Sequence, residues 1–147
     1  MPRRKKGTVI KPTPYRAKDI VSVSVNQPDQ MLFFFKLLCE RREAEEDARI
    51  PIRQLYDEAV KNLLADIRDG KPIFFTITPL RGVTRRTVWL LPETAEEVKK
   101  CTGDNIHLSQ FVLTALLRYL ELHGQTFKDF PTSYEEFMAK ITPPKKL

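Results

Sequence analysis

Residues 21–25 read Val-Ser-Val-Ser-Val, and this strict exchange of valine for serine has a period of two. Only a strand with one buried and one polar face satisfies that period. A single strand leaves its backbone N–H and C=O groups without partners, so the chain has to supply a second one. Two later segments qualify. One is Ile73-Phe74-Phe75-Thr76-Ile77-Thr78, and the other is Arg85 to Leu91, with a turn through Pro79 to Gly82 between them.

The remaining periodic segments are helical. Asn26 offers an N-cap, with Pro28 and Asp29 in the first turn of a helix that is apolar nearly all round from Met31 to Leu38. Its continuation, Glu40 to Asp47, is charged and reads as a solvated extension held by local ion pairs, which Pro51 ends. A second helix is expected from about Pro51 to Ile67, with Ile52, Leu55, Ala59, Leu63 and Ile67 on one face and Asp69-Gly70 closing it. Pro92-Glu93-Thr94 opens a third, running to about Cys101, and Leu108-Ser109 starts a fourth that reaches His123. A short helix near 133–141 begins with capping-box spacing between Ser133 and Glu136.

Charge is unevenly placed. Of the 25 lysines and arginines, seven (Arg3, Arg4, Lys5, Lys6, Lys11, Arg16 and Lys18) fall in the first 18 residues, which contain no acid. The rest of the chain carries 18 basic against 19 acidic residues and is close to neutral. The arm has Pro2, Gly7, Pro12 and Pro14 and too little apolar surface to fold by itself, so it is expected to be disordered. Seven such charges suit phosphates, with counterion release as the driving force. The alternatives are a solubilising tail, an anionic membrane surface or an acidic protein, with nucleic acid the favoured reading.

The order strand–helix–helix therefore occurs twice, at roughly 20–68 and 86–123. The second copy has Leu91-Pro92-Glu93 at the strand end, a short first helix, a second helix opening at Leu108-Ser109, and the run Ala115-Leu116-Leu117-Arg118-Tyr119-Leu120. In these features it resembles the ribbon-helix-helix superfamily of DNA-binding proteins. The first copy departs from the pattern: 25 residues separate Asn26 from Pro51, against 17 from Pro92 to Ser109. The excess of eight is about two helical turns, which the charged extension would absorb. The whole arrangement is similar to the tandem, single-chain members of the superfamily that assist DNA processing and transfer on tumour-inducing plasmids.

The resemblance implies an α+β, mainly helical fold, in which two fused ribbon-helix-helix units share one two-stranded antiparallel ribbon. The expected organisation is a basic arm (1–18), a first unit with an extended first helix (19–70), a linker with an extra strand candidate (71–84), a second unit (85–124) and a tail with a short helix (125–147). It implies a monomeric pseudo-dimer, able to form higher oligomers on DNA. In the family the outward face of the ribbon reads bases in the major groove, and the N-terminus of each second helix holds a phosphate. Carried over, Ser22 and Ser24 face outward from the first strand. On the second strand, anchoring Leu91 inward puts Thr87 and Trp89 inside and Arg86, Val88 and Leu90 outside. A slip of one residue would expose Arg85, Thr87 and Trp89 instead. In the first of these registers Arg86 is the residue suited to guanine, with Val88 and Leu90 giving only apolar contact. Phosphates would fall to the arm, to Arg53 and Arg85, and to Ser109-Gln110. Trp89 is a residue type found more often in cores than on stacking surfaces, and the ribbon's outer face could instead pack on another protein or on residues 74–78.

Enzymatic chemistry finds no foothold in these residues. His107 and His123 stand 16 apart with no carboxylate or cysteine at ligand spacing, Cys39 and Cys101 are isolated, and there is no phosphate-binding glycine loop or nucleophile elbow. The expectation is a non-catalytic protein with neither metal nor cofactor. No apolar run approaches a membrane span and no signal-peptide core follows the basic start, so a reduced cytoplasmic setting is expected. The functional expectation is sequence-specific double-stranded DNA binding in a plasmid-type setting. The roles it includes are conjugative or relaxosome accessory factor, partition protein and transcriptional repressor, with a ParA-like ATPase or a relaxase as protein partner. The competing reading is a protein–protein adaptor whose basic tail tethers an acidic partner.

Overall fold

The computed structural model describes residues 21–103 and 105–141. Along the chain run β1 (Val21–Pro28), α1 (Met31–Glu46), α2 (Ile52–Arg68), β2 (Val83–Leu90), α3 (Pro92–Thr102), α4 (Leu108–Leu122) and α5 (Tyr134–Ile141). The fold is α+β and mainly helical, with strand–helix–helix occurring twice. β1 and β2 form a two-stranded antiparallel sheet in which Val21 faces Leu90 and Pro28 faces Val83. The charged arm residues Arg3, Arg4, Lys5, Lys6, Lys11 and Arg16 lie outside the described residues.

β1 runs further than its valine–serine core suggested. Asn26 does not cap α1: it and Gln27 and Pro28 pair with Arg85, Thr84 and Val83, and the helix begins after Gln30 with no side-chain cap. The strand ladder therefore claims residues that local sequence offered to a helix. A turn closes this end of the ribbon, where the Thr84 hydroxyl donates to Asp29 Oδ1 (2.6 Å) and the Asp29 N–H donates to the Gly82 carbonyl (3.2 Å). Gly82 sits at φ 75°, in the left-handed region that a side chain would strain.

α1 carries through the charged stretch to Glu46 and is 16 residues long, against 11 for α3, so five of the eight extra residues expected in the first copy lengthen its helix. It is not buried all round. Met31, Phe35, Leu38 and Cys39 face the core, while Phe33 stays 58% exposed. Arg42 bonds both Glu46 on its own helix and Glu58 on α2, which ties the extension down. The chain leaves α1 through Asp47 at φ 49°, and Pro51 sits just before the first residue of α2.

Residues 73–78 are not a strand. The backbone polar groups of Thr76 are taken by side chains of α4: its N–H donates to Thr114 Oγ1 (3.0 Å), and Gln110 Nε2 donates to its carbonyl (3.2 Å). With Phe75 against Phe111 and Phe74 against Tyr134 and Phe137, this segment packs on α4 and α5. The tail belongs to the same body, since Phe130 is buried and Phe127 meets Phe34 edge-on. The expected cap at 133 is present: Ser133 Oγ accepts from the Glu136 N–H, and the Glu136 carboxylate accepts from the N–H of Thr132.

The core lies under the ribbon. α2 packs beneath β2, α4 packs beneath β1, and the two helices pack on each other. Val23, Val25, Val88 and Leu90 from the ribbon meet Leu55, Tyr56, Phe111, Val112 and Leu116 from the helices. Burial pushes the Tyr56 phenol up to about 12, against the opposing charge of Arg86, so the ring stays neutral. Asp57 is fully buried, yet one oxygen accepts from the Leu91 N–H (3.1 Å) and the other lies 2.9 Å from Lys61 Nζ. It fixes the backbone where β2 gives way to α3. Among the described residues no helix is long and apolar enough to cross a membrane.

At the far end of the helix pair, Arg118 Nη2 lies 2.7 Å from Asp66 and Lys71 lies 3.1 Å from it. Arg118 first, then Lys71, hold the Asp66 carboxyl below its ordinary range despite partial burial. A depressed carboxylate stabilises the fold above its unfolded value, about 4, and that contribution is lost as pH falls through the folded value. Asp66→Asn is therefore expected to melt below the parent at neutral pH, with the gap closing below about pH 4. Thermal melts of both proteins over that range check this, and a gap independent of pH would contradict it.

Candidate nucleic-acid interface

The outer face of the ribbon is built from three cross-strand pairs: Ser22 with Trp89, Ser24 with Thr87, and Asn26 with Arg85. All except the half-buried Trp89 are exposed. Ser22 and Ser24 thus stand where the valine–serine alternation put them. The second strand has the opposite parity to the expected one. Val88 and Leu90 are at 0% exposure and belong to the core, Arg86 is half-buried opposite Val25, and the slipped set Arg85, Thr87 and Trp89 faces outward. The physical reason is local. Leu91 is indeed buried, but it is the residue preceding α3 (φ −65°, ψ 145°), beyond the strand, and Leu90 before it is buried too. Strand alternation does not extend across the junction, so Leu91 was a misleading anchor.

Arg86 is consequently no outward reader. Its Nε is buried and has no hydrogen-bond partner among the described residues, and its charge falls near Tyr56. Arg85 takes its place on the outer face, exposed to solvent. Trp89, expected in the core, has Arg53 over its ring, with Cζ 4.6 Å from the centroid. That distance permits a cation–π contact.

The N-termini of α2 and α4 flank the two edges of this face. At β2, Arg53 reaches Trp89 from the first turn of α2. At β1, a cleft of about 200 Å³ is lined by Ser24 and Asn26 from the strand, Thr78 from the linker, and His107, Ser109 and Gln110 at the start of α4. Neither helix has a side-chain cap and neither has an acid in its first turn. Uncapped first-turn N–H groups and the helix dipole favour an anion there. Gln110 is partly committed through its bond to Thr76, which leaves Ser109 as the freer side chain at that end.

Sequence reasoning missed Asn26, because its N-cap chemistry outweighed its place as the next outward residue after Ser22 and Ser24. The alternation itself, carried two residues further, was the available signal. Among the described residues no group of three His, Cys, Asp or Glu side chains is arranged to hold a metal. Comparison with protein-family models, with characterised proteins and with solved structures finds no match to this chain in any of the three.

Proposed function

We propose that this chain is a sequence-specific double-stranded DNA-binding protein, made of two fused ribbon-helix-helix units that together complete one reading ribbon. The observation that carries the reading is the outer face of the ribbon: polar and exposed apart from half-buried Trp89, free of acids, and flanked on both edges by uncapped helix N-termini. A two-stranded ribbon is of a size to enter the major groove, about 12 Å wide, and the two helix ends would then meet phosphates on either side. The pairing register supports a local two-fold through the Ser24–Thr87 pair, which relates Ser22 to Arg85 and Asn26 to Trp89. The packing of α2 under β2 and of α4 under β1 follows the same relation. Because both strands come from one chain, the ribbon is complete in a monomer.

The cellular role that fits is an accessory factor for plasmid-type DNA processing or transfer, a partition protein or a repressor, in each case with DNA as the direct ligand. An adaptor reading would be favoured by a ribbon face covered by the chain itself, and the described residues cover this face only at Trp89. Selection of bound duplexes from a random pool tests the proposal. An enriched motif of several base pairs is the expected result. Retention of all sequences alike, or of none, would overturn it and give the adaptor reading the lead.

A further inference from the structure

We infer that base discrimination is concentrated at one end of the ribbon, in Asn26 and Arg85, so that the protein reads one side of its site by hydrogen bonds and grips the other by contact. The inference rests on the DNA-binding reading above. Asn26 and Arg85 are cross-strand partners, both are exposed, and neither side chain makes a hydrogen bond or ion pair among the described residues. Their chemistry is also the most discriminating on this face. The amide of asparagine matches adenine N6 and N7, and the guanidinium of arginine matches guanine O6 and N7, each in a bidentate pair.

The other end has nothing equivalent. Ser22 can donate or accept and so accepts most bases, while the Trp89 indole offers one N–H and an apolar plane. Arg53, stacked over that plane from the start of α2, is placed beside a helix N-terminus, where phosphate contact rather than base contact is favoured. Ser22 and Asn26 are four strand residues apart, about 13 Å at the usual rise. That is about four base-pair steps at 3.4 Å each. The informative base pairs therefore lie to one side of the Ser24–Thr87 centre, with adenine and guanine at or next to each other. The site is asymmetric because the two halves of the ribbon are chemically different, although the backbone halves are alike.

The test uses the full chain and a duplex recovered from the random pool, with each base pair varied singly. Asn26→Ala and Arg85→Ala should each weaken binding to the preferred duplex by about 5- to 150-fold and flatten the preference at the same one or two base pairs. Both positions are exposed, so melting temperatures should stay close to the parent's. Ser22→Ala and Trp89→Phe should leave the pattern of preference unchanged, with any loss shared by all duplexes. A palindromic site with equal information on both sides would overturn the inference while leaving DNA reading intact. Equal losses on every duplex from Arg85→Ala and Asn26→Ala would overturn it in the same way. If the parent shows only salt-sensitive binding with no base preference, both the inference and the reading beneath it fail.

Discussion

Leu90→Ala is expected to destabilise the protein by about 2–5 kcal/mol, whereas Thr87→Ala on the same strand should change stability by no more than about 0.5 kcal/mol. Leu90 is completely buried and pairs with Val21 at the end of the ribbon where β2 passes into α3. Truncation there removes apolar contacts and leaves a cavity that the neighbouring turn cannot readily fill, because Asp57 pins the following N–H in place. Thr87 lies in solvent on the other face and loses little. The contrast tests the ribbon register itself. With Val88 and Leu90 outward, Leu90→Ala would be nearly neutral and Thr87 would be the costly position. Denaturant titration of the two variants decides between them, since a core truncation moves the midpoint with little change in slope.

The register also shows what the sequence could and could not carry. β1 was legible because five residues alternate without a break, and its outward serines followed directly. Helices α2 and α4 were legible from their apolar residues, and Pro51 and Pro92 marked the starts of α2 and α3 by backbone geometry alone. The extra length of the first copy was legible in part: the charged stretch is helical, but α1 exceeds α3 by five residues rather than eight. β2 was located but its faces were inverted. Its residues mix charged, small and apolar types on both sides, and the parity was taken from Leu91, which lies past the strand end. Nothing in a one-dimensional pattern distinguishes a leucine inside a strand from one that is buried while preceding a helix. Residues 73–78 failed for another reason. Their composition is that of a strand, yet the groups that satisfy the backbone of Thr76 at their middle are Gln110 and Thr114, more than 30 residues away. Strand propensity records how well side chains suit a half-buried surface, and this segment finds such a surface on α4 without a ladder.

Removal of residues 1–18 is expected to have the largest effect on DNA affinity of any change considered, and to act on all duplexes alike. The segment carries seven positive charges and no negative one, while the remainder of the chain is nearly neutral, so most of the long-range attraction to phosphate resides in it. Each phosphate neutralised contributes about 0.9 to the slope of log affinity against log salt. Loss of all seven contacts would therefore flatten that slope by about six, and at low salt the affinity should fall by roughly a thousandfold or more. The order of base preference should survive, because the residues assigned to discrimination, Asn26 and Arg85, remain on the ribbon. Affinity measured at several salt concentrations, on the preferred duplex and on a scrambled one, separates the two contributions. Parallel losses on both duplexes with a reduced slope are the expected result. A truncated protein that keeps its salt slope but changes its preferred sequence would show that the arm enters a groove and reads bases. The division of labour between arm and ribbon would then have to be abandoned.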